Sequence, residues 1–114
     1  MAALAAVIPT NAGTVNPGAA VAASDTISTA VMGRIGAYLE ILNGNASPDV
    51  MTISDAGSTP SGNALTGGTY AATVTNATNR VFFIRREQAA PATGLVTVTH
   101  SVTTTVTYKL YPVG

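Results

Sequence analysis

The sequence predicts an all-β fold, a small antiparallel β-sandwich or barrel with an extended N-terminal arm. Three observations carry that expectation. Val and Thr alternate through residues 95–107, the period-two pattern of a half-buried strand. Eleven Gly and six Pro punctuate the chain at short intervals, as closely spaced turns require. No stretch of any length carries a helical apolar period.

Residues 1–30 form the arm and residues 31–114 a single β-domain. The arm is built from Ala, Val, Thr, Asn, Gly and Pro, with Asp25 as its only charge. Pro9 and Pro17 disfavour helix, and the turn residues between them favour an irregular extended path. Disordered tails are usually polar and charged, whereas this segment keeps Leu4, Val7, Ile8, Val15 and Val21, so it is expected to lie on a surface. Residues 19–23 are a candidate short helix, marginal on its own.

From Ile27 onward the period becomes two. Within residues 36–42, Leu39 and Ile41 share one face while Tyr38 and Glu40 share the other. In residues 50–54, Met51 and Ile53 share a face. Opposing Leu42 to Val50 places Ile41 against Met51 and Leu39 against Ile53, so a hairpin is predicted. Residues 55–68, rich in Gly and small polar residues, read as a long surface loop. A strand over 69–76 and a turn over 76–79 follow. Residues 80–85 are apolar on both faces, which predicts a central strand or one packed on a neighbour. After the loop 86–94, residues 95–102 and 105–111 predict a last hairpin, with Val102 opposite Val106 and a three-residue connection at Thr103, Thr104 and Thr105. The total of about six or seven short, closely spaced strands points to a sandwich or barrel.

Charge narrows the function classes. Only 9% of residues are charged, against about 25% in ordinary soluble proteins. Five basic residues balance five acidic ones. No clustered positive field exists to attract nucleic acid or an anionic membrane, and neither is an expected partner. A weakly charged surface also gives little protection against self-association, which suits a component of an assembly. There is no cysteine, which removes disulfides and thiolate chemistry. The apolar opening run lacks a basic n-region and Pro9 stops it, and no run approaches the roughly 20 apolar residues of a membrane span. The chain is therefore expected to be made in the cytosol and to stay soluble.

Catalytic signals are weak. A Ser-His-acid triad needs an imidazole near a nucleophile, and the single histidine, His100, falls on the apolar face of its strand between Val98 and Val102. It reads as a core or interface histidine with one hydrogen-bond partner. Asp25, Glu40, Asp49, Asp55 and Glu87 share no motif that would pair two of them for glycoside hydrolysis. Asp49 and Asp55 with Asn43 and Asn45 could surround a calcium ion, but their spacing fits no EF-hand loop and turn formation explains them. No enzyme activity, metal or cofactor is expected. Arg80, Arg85 and Arg86 flank Val81, Phe82, Phe83 and Ile84, a combination of Arg and aromatic residues common at protein interfaces.

The order of features also carries a resemblance. The arm precedes a Gly-x-x-Leu-x-Ile-x-Asn-Gly strand (Gly36, Leu39, Ile41, Asn43, Gly44), a Ser47-Pro48-x-x-Met-Thr-Ile continuation, a Gly-rich loop, a strand reaching Asn79-Arg80 and a terminal Val/Thr pair over 96–107. Over residues 35–111 this resembles the small virion proteins encoded near the major capsid gene in tailed bacteriophages of actinobacteria, the head decoration or cement proteins. The resemblance implies a structural virion protein, made in the host cytoplasm, that sits on the outside of an icosahedral head and stabilises it. It implies the major capsid protein as partner and a homo-oligomer, with a trimer favoured. The arm residues Leu4, Val7, Ile8, Pro9, Val15 and Val21 then become a latch, and Arg80, Phe82, Arg85 and Arg86 a second contact. The alternatives are a tail-tube, neck or head-fibre component and a carbohydrate-binding sandwich. Against the last, there is no Trp, and Tyr38, Tyr70, Tyr108 and Tyr111 are the only tyrosines.

Overall fold

The computed structural model describes residues 2–56 and 69–114. The Gly-rich surface loop expected over 55–68 falls almost wholly outside them. Nine strands are described: β1 (Ala2–Ala3), β2 (Ala19–Ala20), β3 (Ser24–Ser28), β4 (Gly36–Asn43), β5 (Asp49–Ser54), β6 (Thr69–Val74), β7 (Thr78–Arg85), β8 (Leu95–Thr99) and β9 (Val106–Val113). They form two sheets, one of five strands in the order β1-β3-β8-β5-β6 and one of four in the order β2-β9-β4-β7. The fold is a β-sandwich, as the alternation predicts.

Each sheet presents its apolar face inward. Ile27, Met51, Ile53, Val96 and Val98 of the five-stranded sheet meet Leu39, Ile41, Ile84, Val106 and Leu110 of the four-stranded one, all essentially inaccessible. The burial of β5 and β9 alternates along the strand, following the two-residue side-chain period. The two sheets close over one core, which is what a chain of this length can supply.

Both predicted hairpins are corrected by the structure. β4 pairs with β7 and β9, and β5 pairs with β6 and β8, so the loop over 44–48 crosses from one sheet to the other. β8 pairs with β3 and β5, while β9 pairs with β4 and β2, so residues 100–105 also cross between sheets instead of forming a three-residue turn. The physical reason is common to both. Matching apolar faces is satisfied equally by two strands side by side in one sheet and by two strands facing each other across a core about 10 Å thick. Local turn chemistry selects the second arrangement. The Asn43 side chain accepts from Asn45 N (2.9 Å) and donates to Ser47 O and Val74 O (3.0 Å each), folding the chain away from its own sheet. Thr105, in the left-handed region at φ 58°, turns the chain into β9. Among the described residues, β5 and β6 are the only consecutive strands that pair with each other.

The strand over 80–85 is also corrected. β7 is an edge strand, bonded only to β4 among the described residues. Its second apolar face, carrying Val81 and Phe83, points out of the sandwich and is exposed. Residues 19–23 form no helix; Ala19 and Ala20 pair with Tyr108 and Thr107 of β9.

Within residues 1–30 the chain lies on its own body. Ala2 and Ala3 run parallel to Asp25 and Thr26 on the free side of β3, and Leu4 N donates to Thr26 O. The segment then moves to the other sheet, where Val7 N donates to Leu110 O and β2 covers the side of β9. Ser24–Ser28 is an inner strand of the five-stranded sheet, with Ile27 in the core. One stretch of chain thus covers an edge of both sheets.

Candidate functional site

The arm residues divide into two sets. Leu4 and Val21 are buried among the core side chains. Val7 is half-buried. Ile8, Pro9 and Val15 point outward, with Ile8 71% and Val15 91% exposed. Thr10 N and Thr10 Oγ1 bond to Thr14 Oγ1 and Gly13 O in a tight local turn, and Asn16 Nδ2 donates to Tyr111 OH. Residues 8–15 therefore form a short surface excursion held at both ends, with two aliphatic side chains presented to solvent.

The second group is similarly split. Arg86 donates from one guanidinium nitrogen to Thr29 O and Gly33 O (2.8 and 3.2 Å), which ties the segment after β7 to the turn before β4. Phe82 packs against the core edge, and the Arg80 guanidinium lies over its ring at 5.1 Å while donating to Thr73 O. Arg85 is exposed, its guanidinium over the Phe83 ring at 5.9 Å. Arg85, Phe83, Arg34, Ile35 and Glu87 line an open surface depression of about 490 Å³. The outward row Phe83, Tyr38 and Tyr111 crosses three adjacent strands of the four-stranded sheet. The Tyr38 and Phe83 rings are tilted by 51°. They do not share a plane, so they provide no flat platform on which a sugar ring could stack.

A buried cluster that the sequence does not announce lies at one end of the core. His100, just after β8, sits between Asp25 of β3 and Asp49 at the start of β5, on three neighbouring strands. His100 Nδ1 is 2.6 Å from Asp49 Oδ2, and His100 Nε2 is 3.9 Å from Asp25 Oδ2. Asp49 Oδ1 accepts from Ser101 N and Val102 N, and Asp25 Oδ2 accepts from Ala22 N. All three side chains are inaccessible. A hydrolytic triad aims its imidazole at a nucleophile that substrate can reach. Here the second imidazole nitrogen faces another buried carboxylate. Asp49 bonds the imidazole and the loop after β8, while His100 Nε2 and Asp25 Oδ1 have no hydrogen-bond partner among the described residues.

His100 is therefore buried and bonded as its strand position predicts, while its two acidic neighbours come from positions 51 and 75 residues away. Asp49 reads in sequence as a turn residue and Asp25 as an arm charge; neither spacing signals a cluster. Of the four residues weighed for calcium, Asp55 is exposed, and the oxygens of the other three are bonded within the chain. Asn43 Oδ1, Asn45 Oδ1 and both Asp49 oxygens accept hydrogen bonds from protein groups.

Comparison with family models, curated proteins and solved structures finds no match. The fold and the site define the chain as a two-sheet β-sandwich whose outward features are apolar and aromatic side chains on a weakly charged surface.

Proposed function

We propose that the chain is a structural virion protein, a decoration or cement protein that binds the major capsid protein on the outside of an icosahedral phage head and stabilises the shell. The observation that carries the reading is the outward excursion over residues 8–15, which presents Ile8 and Val15 on an otherwise folded, self-covered segment. Exposed aliphatic side chains on a short, internally bonded loop suit a seam between larger subunits, where small apolar contacts combine. Many copies on one shell convert a weak contact into stable occupancy through effective concentration. The sequence resemblance over residues 35–111 supports the same reading.

Cosedimentation with empty capsids tests it. Saturable binding at a symmetric copy number is the expected result, and failure to bind any head preparation overturns the proposal. Truncating the whole arm is a poor probe, because it also removes Leu4 and Val21 from the core. Ile8→Asp and Val15→Asp leave the core intact. If both variants bind capsids as tightly as the parent chain, the excursion is not the latch.

A further inference from the structure

The two sides of the sandwich are treated differently. On one side, the N-terminal segment covers β3 with β1 and β9 with β2. On the other, β7 runs for eight residues with no described strand beyond it. Its ladder to β4 is continuous from Thr78 to Arg85, without a bulge. It contains neither Pro nor Lys; its two charges, Arg80 and Arg85, lie over the rings of Phe82 and Phe83, and Val81 and Phe83 are exposed along it. Long, unbulged edges that expose apolar side chains are templates for adding a strand.

From this edge we infer a homotypic contact: a second copy of the chain adds antiparallel to β7 across a two-fold axis at Phe82, joining the four-stranded sheets of the two copies into one. Hydrogen-bond direction fits this register. Arg85 N donates to Gln88 Oε1 (3.0 Å), so its N–H points away from β4. N–H direction alternates along a strand, which turns the N–H groups of Phe83 and Val81 to the same free side. With Phe82 on the axis, Val81 and the partner's Phe83 form a hydrogen-bonded pair, and the pairing repeats by symmetry.

Side chains choose the same register. Opposed residues of an antiparallel pair share a face, so the axis must fall on a residue. An axis at Phe83 would set Val81 against the partner's Arg85, and an axis at Val81 would set Phe83 against the partner's Asn79. Those two axes pair one outward apolar residue with its own copy and leave the other against a polar side chain; the axis at Phe82 gives both Val81 and Phe83 an apolar partner. It also brings the Arg85 guanidinium of each copy against the partner's Asn79, whose side chain donates to Glu40 Oε2 at 2.6 Å within its own chain. Each copy thus offers a carboxylate where the other brings a cation. On the inward face Arg80 meets the partner's Ile84, and no like charges oppose. Self-complementarity of this kind identifies the occupant as another copy, because an isologous interface must match its own surface. The contact is a property of the free chain and does not depend on the capsid reading.

Sedimentation equilibrium of the full chain tests it. The parent chain is expected to sediment as a reversible dimer. Arg85→Glu and Glu40→Arg, each placing like charges across the axis, should each raise the dissociation constant by at least about tenfold. An equimolar mixture of the two variants should recover the dimer, because each then carries the charges the other lacks. Within one chain Arg85 opposes Gly36, four residues along β4 from Glu40, so the recovery reports contact between chains. Val81→Lys, at an exposed position, should abolish association with an unchanged circular dichroism spectrum. A monomeric parent chain overturns the inference. So does an oligomer of any size that is indifferent to these variants, or slow exchange of the Val81 and Phe83 amides in a monomer, since their edge would then be covered by the chain itself.

Discussion

His100 illustrates how one side chain can be legible in kind and opaque in role. Its place in a run of Val residues of the same parity predicts burial, and burial follows. What decides its importance is the pair of carboxylates that topology brings to it. With Asp49 Oδ2 at 2.6 Å and fully enclosed, replacing His100 by Ala leaves a buried carboxylate without its strongest side-chain partner. Loss of one partner from such a pair destabilises by at least about 2 kcal/mol. Chemical denaturation of His100→Ala should therefore show a lower midpoint at an unchanged slope. His100→Asn should recover only part of the loss, because an amide can donate to Asp49 but lacks the imidazole's shape. A variant as stable as the parent would show that the cluster contributes nothing to the fold.

At the scale of single elements, local patterns located the strands well and their partners poorly. The expected ranges for β4, β5, β7 and β9 fall within a few residues of the observed strands, since alternation reports burial directly. Pairing is different. Leu39 and Ile41 lie in the same core as Met51 and Ile53, but on the opposite sheet; alternation reports which face is buried and not which strand lies alongside. The two-residue strands β1 and β2, formed by alanines, have no periodic signal at all and exist because neighbouring strands offer free edges. The resemblance motif also finds a physical meaning. Leu39 and Ile41 fill the core, Asn43 turns the chain out of β4, and Gly36 lies where β7 passes closely: a Cβ there would sit 2.0 Å from Ile84 O. Gly36→Ala must push two paired strands apart and is expected to destabilise by roughly 1–3 kcal/mol, with the loss read as a lower thermal midpoint. An undisturbed midpoint would mean that the edge strand yields freely.

At the scale of the molecule, the sheet of residence changes at nearly every connection of the described strands, and among them only β5 and β6 are both consecutive and paired. The first strands lie against segments from the middle and end of the chain, and β4 is flanked by β7 and β9. No hairpin of the described residues except β5–β6 can form early and wait for the rest. Loop closure must therefore precede most of the stabilising contacts, so the barrier is set by chain entropy. Folding is expected on the millisecond-to-second scale typical of β-sandwiches, followed by stopped-flow with a denaturant jump. Microsecond folding would contradict that expectation. The sheet-to-sheet weave also bears on synthesis: β4 has no partner from its own sheet until β7 follows it, and its second flank stays bare until β9, the last strand, leaves the ribosome. For most of translation the apolar faces of β4 and β5 have only incomplete cover, and the interval before the C-terminal strand docks is when the nascent chain is most exposed to aggregation.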